Sequence, residues 1–259
     1  MDILKIENIK AGYDNKIILD DISFSLNQGE LTALLGLNGA GKTTLLKTIS
    51  GLIKPISGKC IIKDVDCFSL NEKQRARHIS FMPQRNSIIY NTKVIDVVLM
   101  GITPYLGMFA SPTKEHKKLA YDILKKMSME KYAYANFLQL SEGQKQLVII
   151  CRSLMQNAEI MLFDEPDSAL DYNNRHMMLS CIRDLINKER RVGLITLHDP
   201  NYALNYCDKI IFLEDGKILA EFDTKDVDNI FLHKMFTRIY GKIDIIRHRE
   251  KYVMVRLDA

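Results

Sequence analysis

The sequence lacks several features that would each mark a particular class of protein. Its five cysteines, Cys60, Cys67, Cys151, Cys181 and Cys207, are odd in number and include no C-x-x-C pair. Free thiols in a reducing compartment are the simplest account. No apolar run reaches the roughly 18–20 residues needed to cross a bilayer. No basic start followed by an apolar stretch reads as a secretion signal. If the protein serves a membrane, it is expected to do so from the cytoplasmic face, through a partner. Neither sign of charge dominates, since 36 basic and 32 acidic residues leave a net charge of +4. That balance gives no footing for nucleic acid, and a short basic cluster such as Lys114 to Lys118 reads as a solvated helix face. Repeats and low-complexity linkers are absent. What is present is 259 residues, 47% apolar and 26% charged, the composition of a globular chain with room for a sizeable core.

Apolar periodicity divides the chain. Ile3, Leu4, Ile6 and Ile9 alternate with polar residues as a half-exposed strand would. After a turn at Gly12 to Asn15, the groups Ile17 to Leu19 and Ile22, Phe24, Leu26 predict two more short strands, all with antiparallel character. The pattern changes at Leu31 to Leu35, an apolar run suited to a buried parallel strand. A glycine-rich loop follows, then a helix from Thr43 to Ser50 stopped by Gly51. Between about Thr92 and Leu138 the chain turns helical, notably over Thr113 to Met129, with breaks at Pro104 and Pro112. A helix over Glu142 to Met155 leads into the strand Ile160 to Phe163. Val192 to Leu197 predicts another buried strand. Ile210 to Leu213 and Ile218 to Ala220 flank the hairpin turn Glu214-Asp215-Gly216-Lys217. This alternation of strand and helix predicts an α/β fold with a parallel sheet.

The loop Gly36-Leu37-Asn38-Gly39-Ala40-Gly41-Lys42-Thr43 satisfies G-x-x-x-x-G-K-[ST] at every fixed position. Glycines let the backbone curl so that N–H groups converge on phosphate oxygens, and the next helix turns its positive end to the same anion. Lys42 is expected to reach the β- and γ-phosphates and the Thr43 hydroxyl to coordinate magnesium. A chance glycine-rich turn is the competing reading. The strand before the loop and the helix after it argue against that. Asp164 ends the run Ile160 to Phe163, and Glu165 follows. Carboxylates at the C-terminal end of a buried strand lie where ligands sit in open α/β sheets. Beside a phosphate loop, Asp164 is expected to hold magnesium and Glu165 to polarise the attacking water.

Leu140-Ser141-Glu142-Gly143-Gln144 is where the chain comes to resemble the ABC ATPase family, whose signature reads LSGGQ. The resemblance runs along almost the whole chain. Tyr13 stands at the place of the aromatic that stacks on adenine. Gln84, in Phe81-Met82-Pro83-Gln84, matches the Q-loop glutamine. Ser168-Ala169-Leu170-Asp171 matches the D-loop, and His198 matches the switch histidine. Each match alone is weak, and their order and spacing carry the argument. The resemblance implies a RecA-like P-loop core with an N-terminal antiparallel β subdomain and an inserted helical subdomain. Residues 1–86 and 156–240 would form the nucleotide-binding core, 87–155 the helical subdomain with the signature, and 241–259 a short C-terminal extension. ATP and Mg2+ are the implied ligands. Gly36 to Thr43 with Thr44, Tyr13, Ser141, Gly143, Gln144 and Asp171 would bind nucleotide. Thr43, Gln84 and Asp164 would serve the metal, and Lys42, Gln84, Glu165 and His198 the hydrolysis. In the family the signature of one subunit meets the γ-phosphate held by the other, so a homodimer is implied. Two departures stand out. Glu142 replaces the first signature glycine, and Asp167 stands where Thr is common. Glu142 is tolerable if its side chain points away from nucleotide.

The segment Val97 to Gly101, Thr103 to Gly107 and Phe109 to Pro112 resembles the importers of metal chelates and metal oxyanions: iron–siderophore, haem, cobalamin and molybdate or tungstate systems. His198-Asp199-Pro200-Asn201 and the alternating tail Ile243, Ile245, Val253, Val255 are similar to theirs, while Ile102 stands where that group often has Arg. The resemblance implies a subunit that powers import through two separate permease subunits docked on the helical subdomain, served indirectly by an extracytoplasmic binding protein. Ile88, Ile89, Tyr90, Tyr105, Leu106, Met108 and Phe109 are the expected docking surface. A soluble ABC ATPase of the cluster-assembly type and an exporter subunit are the rival readings.

Overall fold

The computed structural model describes residues 2–14, 16–84, 88, 90–107, 109–249 and 251–257. Strands β1 (Asp2–Tyr13) and β2 (Lys16–Asn27) form a long antiparallel pair. β3 (Glu30–Leu35) leads through the glycine loop into α1 (Lys42–Ile49). β4 (Ser57–Ile62), the short β5 (Val65–Asp66), α2 (Glu72–His78) and β6 (Ile79–Met82) follow. Helices α3 (Val94–Leu99), α4 (Lys114–Lys126) and α5 (Glu142–Met155) make the middle of the chain and pack on one another. The chain then alternates through β7 (Ile160–Phe163), α6 (Tyr172–Lys188), β8 (Val192–Thr196), α7 (Pro200–Tyr206) and β9 (Lys209–Glu214). β10 (Lys217–Asp223), α8 (Asn229–Tyr240) and the hairpin β11 (Ile243–His248) and β12 (Lys251–Arg256) complete it.

The central sheet has the order β10-β9-β3-β8-β7-β6, parallel from β9 through β6. Both of its faces are covered. Leu31, Ala33 and Leu35 of β3 and Met161 and Phe163 of β7 belong to one apolar cluster, shared with α3 to α8. Leu34, Ile160 and Leu162 belong to the other, under the antiparallel sheet β2-β1-β4-β5 and α1. Burial on both faces explains why these strands read as continuous apolar runs rather than alternating ones.

One expectation is corrected. The residues from Ile17 to Leu26 lie in one twelve-residue strand, Lys16–Asn27, not two. The interruption at Asp20-Asp21 is a shift of register inside the ladder. Asp21 and Asn8 both take positive φ there, and Asn8 Nδ2 donates to Asp21 Oδ1 at 2.7 Å. Such a bulge bends a strand without ending it, whereas polar residues in sequence look like a turn. Asn15, within the expected turn, lies outside the described residues.

The expected docking surface divides in two. Tyr90, Tyr105 and Phe109 are exposed, the last at 95%. Ile88 and Leu106 instead pack partly against the core. Ile89 and Met108 lie outside the described residues.

Candidate active site

Four loops meet at the C-terminal ends of four neighbouring strands, the phosphate loop after β3, His198 after β8, Asp164 and Glu165 after β7, and Gln84 after β6. That edge is where an open parallel sheet presents side chains to a ligand.

The phosphate loop is shaped by close approach. A Cβ added at Gly36 would stand 2.2 Å from the Leu213 carbonyl oxygen, so any larger residue would push the loop off β9. Ala40 N–H donates to Leu37 O at 3.2 Å, and Lys42 Nζ donates to Gly36 O at 2.8 Å and Leu37 O at 3.1 Å. The lysine thus arches over the loop it belongs to. Burial pulls its pKa down, while the charges of Glu165 and Asp164 push it back up. Leu37, Asn38 and Gly39 are exposed at the rim, and Thr44 is buried behind it. No side chain caps α1, whereas α4, α5, α6, α7 and α8 each have a side-chain cap. Open first-turn N–H groups at a helix start suit an anion.

The carboxylates are held by a residue the sequence reading missed. Thr196, the last residue of β8, donates its hydroxyl to Asp164 Oδ1 at 3.0 Å and accepts from the Glu165 N–H at 2.8 Å. A polar residue inside the apolar run before His198 was the available signal. Burial raises the Asp164 pKa from its ordinary value, and the hydroxyls of Thr43 and Thr196 partly offset this. Glu165 takes the left-handed conformation, with φ 48°. Gln84 Nε2 donates to Glu165 Oε2, and His198 Nε2 lies 2.8 Å from the same oxygen. The Thr43 hydroxyl and the Asp164 carboxylate stand together as oxygen donors, a set that suits magnesium, which keeps waters on its other positions. Gln84 turns its amide nitrogen to Glu165, so its oxygen is the end left for a cation.

The signature lies elsewhere on the same chain. Ser141 caps α5, its Oγ accepting from Gln144 N at 3.3 Å, while Gln144 Oε1 accepts from Ser141 N at 3.0 Å. The Gln144 side chain is therefore engaged in a capping box. A Cβ at Gly143 would meet Ala169 O at 2.9 Å, which seats the signature against the D-loop. The Glu142 side chain is 80% exposed and pairs with Lys145 at 2.7 Å. Among the described residues, no hydrogen bond or ion pair joins Ser141 or Gly143 to the phosphate loop. Asp171 caps α6, accepting from Asn174 N at 2.8 Å and Asn174 Nδ2 at 2.9 Å. Asp167 is buried, and burial raises its pKa. Arg175 Nε lies 3.6 Å from its Oδ2, while Arg175 Nη2 donates to the carbonyls of Asp167 and Leu170. Tyr13 ends β1 half-exposed.

Residues 19–168, more than half the chain, match the ABC transporter family. The chain belongs to that family. It is an ABC transporter ATPase, which binds and hydrolyses ATP. Over 258 residues it is 33% identical to a protein of Helicobacter pylori strain J99 named as a probable iron chelatin transport ATP-binding protein, covering 98% of this chain and 100% of the relative. It is 34% identical to a manganese transport system ATP-binding protein of Bacillus subtilis, covering 92% of each. An inward-facing ABC transporter assigned to the metal-chelate type superposes with TM-score 0.81 at 28% identity, over 98% of this chain and 96% of that one. A dimeric ATP-binding cassette in a post-hydrolysis state, bound to ADP and Pi, superposes with TM-score 0.78 at 30% identity, over 87% of this ABC ATPase and 100% of that chain.

Proposed function

We propose that this ABC ATPase powers import of a metal chelate, of the iron chelatin class, through a separate membrane permease, from the cytoplasmic face. The observation that carries the substrate class is similarity along the full length. The iron chelatin relative and the metal-chelate type transporter each align with 98% of the chain. Tyr90, Tyr105 and Phe109, exposed on the helical segment, offer an apolar surface for two permease subunits, with a binding protein acting indirectly from outside. No helix among the described residues is long and apolar enough to cross a membrane, so the path for solute belongs to the partners.

The geometry supports one reading of hydrolysis. The loop from Gly36 to Thr44 binds the phosphates, and Lys42 leaves its loop carbonyls for the β- and γ-phosphates. Tyr13 offers its ring to adenine. Magnesium, held through Thr43, Asp164 and the Gln84 oxygen, would neutralise charge on the phosphates. Glu165 accepts the proton of the attacking water. His198 contacts the γ-phosphate or that water, and Gln84 and His198 together fix the carboxylate that takes the proton. Ser141 and Gly143 lie apart from their own phosphate loop. A second copy facing the first supplies its signature to each ATP, and Asp171 sits at that seam, which makes a homodimer the working unit. The γ-phosphate bridges the halves, so ATP closes the dimer and hydrolysis opens it.

Uptake of a radiolabelled ferric chelate by cells with and without this chain tests the substrate class. Loss of ferric chelate uptake with manganese uptake intact is the expected result. Loss of manganese uptake alone overturns it.

A further inference from the structure

The last strand of the chain is fastened to the segment that carries His198. Asn201, in the first turn of α7, gives both ends of its amide to one residue of β12. Its Oδ1 accepts from the Met254 N–H at 2.7 Å, and its Nδ2 donates to the Met254 carbonyl at 3.2 Å. This is the pairing a neighbouring strand would make, so a side chain extends the hairpin's ladder onto a helix. The two residues stand 53 apart in sequence.

Asn201 is fixed at its own backbone as well. Its N–H donates to Asp199 Oδ1 at 2.8 Å, and its carbonyl accepts from Asn205 Nδ2 at 2.7 Å. Asp199 adjoins His198. The end of α8 reaches the same place, where burial and the Asp199 charge push the Tyr240 hydroxyl pKa up. The hairpin is itself anchored, with Tyr252 OH donating to Val227 O at 3.3 Å.

α7 has seven residues, too few to hold a helix unaided. The His198 side chain is 51% exposed, so packing alone leaves it loosely held. A displacement of about 1 Å in a reacting group can cost ~100-fold in rate. On one side Arg175 stacks over Tyr202 of α7 at 5.3 Å. On the other side stands the hairpin.

We propose that Asn201 is a positioning residue for ATP hydrolysis: through Met254, the C-terminal hairpin holds the first turn of α7, and with it His198, against Glu165. The proposal rests on the role given to His198 above.

The test uses the full-length protein, steady-state ATP turnover and equilibrium ATP binding. Asn201→Ala should lower kcat about tenfold and leave KM and ATP affinity nearly unchanged. Met254→Pro deletes the same N–H from the hairpin side, at a position whose N–H is spent on Asn201 rather than on β11, and should do likewise. Asn201→Asp keeps the acceptor for the Met254 N–H but sets a carboxylate oxygen against the Met254 carbonyl, so it should recover no more of the rate than Asn201→Ala. In a His198→Ala background, Asn201→Ala should cost nothing more. Hydrogen exchange should quicken at residues 199–206 and 251–257 and stay unchanged in the central sheet. Normal kcat in Asn201→Ala beside an inactive His198→Ala overturns the tether and leaves the role of His198 standing. Normal turnover in His198→Ala overturns both. If Asn201→Ala unfolds, full kcat in Met254→Pro overturns the tether.

Discussion

His198 Nε2 lies 2.8 Å from Glu165 Oε2, and Gln84 donates to that same oxygen. Residues from the ends of three adjacent strands converge on one carboxylate oxygen. A carboxylate held from two sides presents its other oxygen in a fixed direction, which suits the general-base role proposed for Glu165. Glu165→Gln should therefore keep ATP binding and lose turnover by about 100-fold or more. Size-exclusion chromatography with ATP should show a dimer that persists. Turnover near normal would remove Glu165 from the base role.

His198→Ala should lower turnover by about 100-fold with ATP affinity retained. The imidazole is half-exposed, so its loss leaves no buried void and stability should change little. Single-turnover kinetics separate the two effects. A normal rate with a lowered melting temperature would make His198 a structural residue.

Glu142→Gly should change turnover by less than about threefold, the equivalent of ~0.6 kcal/mol. Glu142 points to solvent and pairs with Lys145, and such exposed pairs contribute about 0–1 kcal/mol. A large gain in rate would mean that the carboxylate faces phosphate across the dimer.

Asp164→Asn should abolish magnesium-dependent turnover and raise the melting temperature of the nucleotide-free protein at pH 7. Burial raises the Asp164 pKa in the folded state above its ordinary 3.8. The folded state thus holds a proton that the unfolded state releases, and stability falls as pH rises from about that value through the folded-state pKa. Removing the charge relieves this penalty, and each 1 kcal/mol recovered is worth about 2–4 °C for a chain of this size. Melting curves at pH 4 and pH 7 check the sign. A gain no larger at pH 7 than at pH 4 would refute it.

The parts of the site and their order can be read from local spacing alone. The phosphate loop, the Asp164-Glu165 pair, Gln84, the signature and His198 are legible because each occupies a fixed offset from a strand or helix, and local offsets survive in one dimension. The helix Glu142–Met155 matches its expected bounds, and in the structure a capping box of Ser141 and Gln144 fixes its start. Tertiary structure decided what those parts touch. Thr196 joins Asp164 to Glu165 across two strands adjacent in the sheet and 31 or more residues apart in sequence. The bulge at Asp21 continues a strand because Asn8 opposes it. Asn201 meets Met254 through a hairpin whose docking no local pattern encodes. Motif spacing records the chemistry each short segment can do. Hydrogen bonds between distant segments decide its geometry, and those depend on how the apolar faces of sheet and helices close on one another.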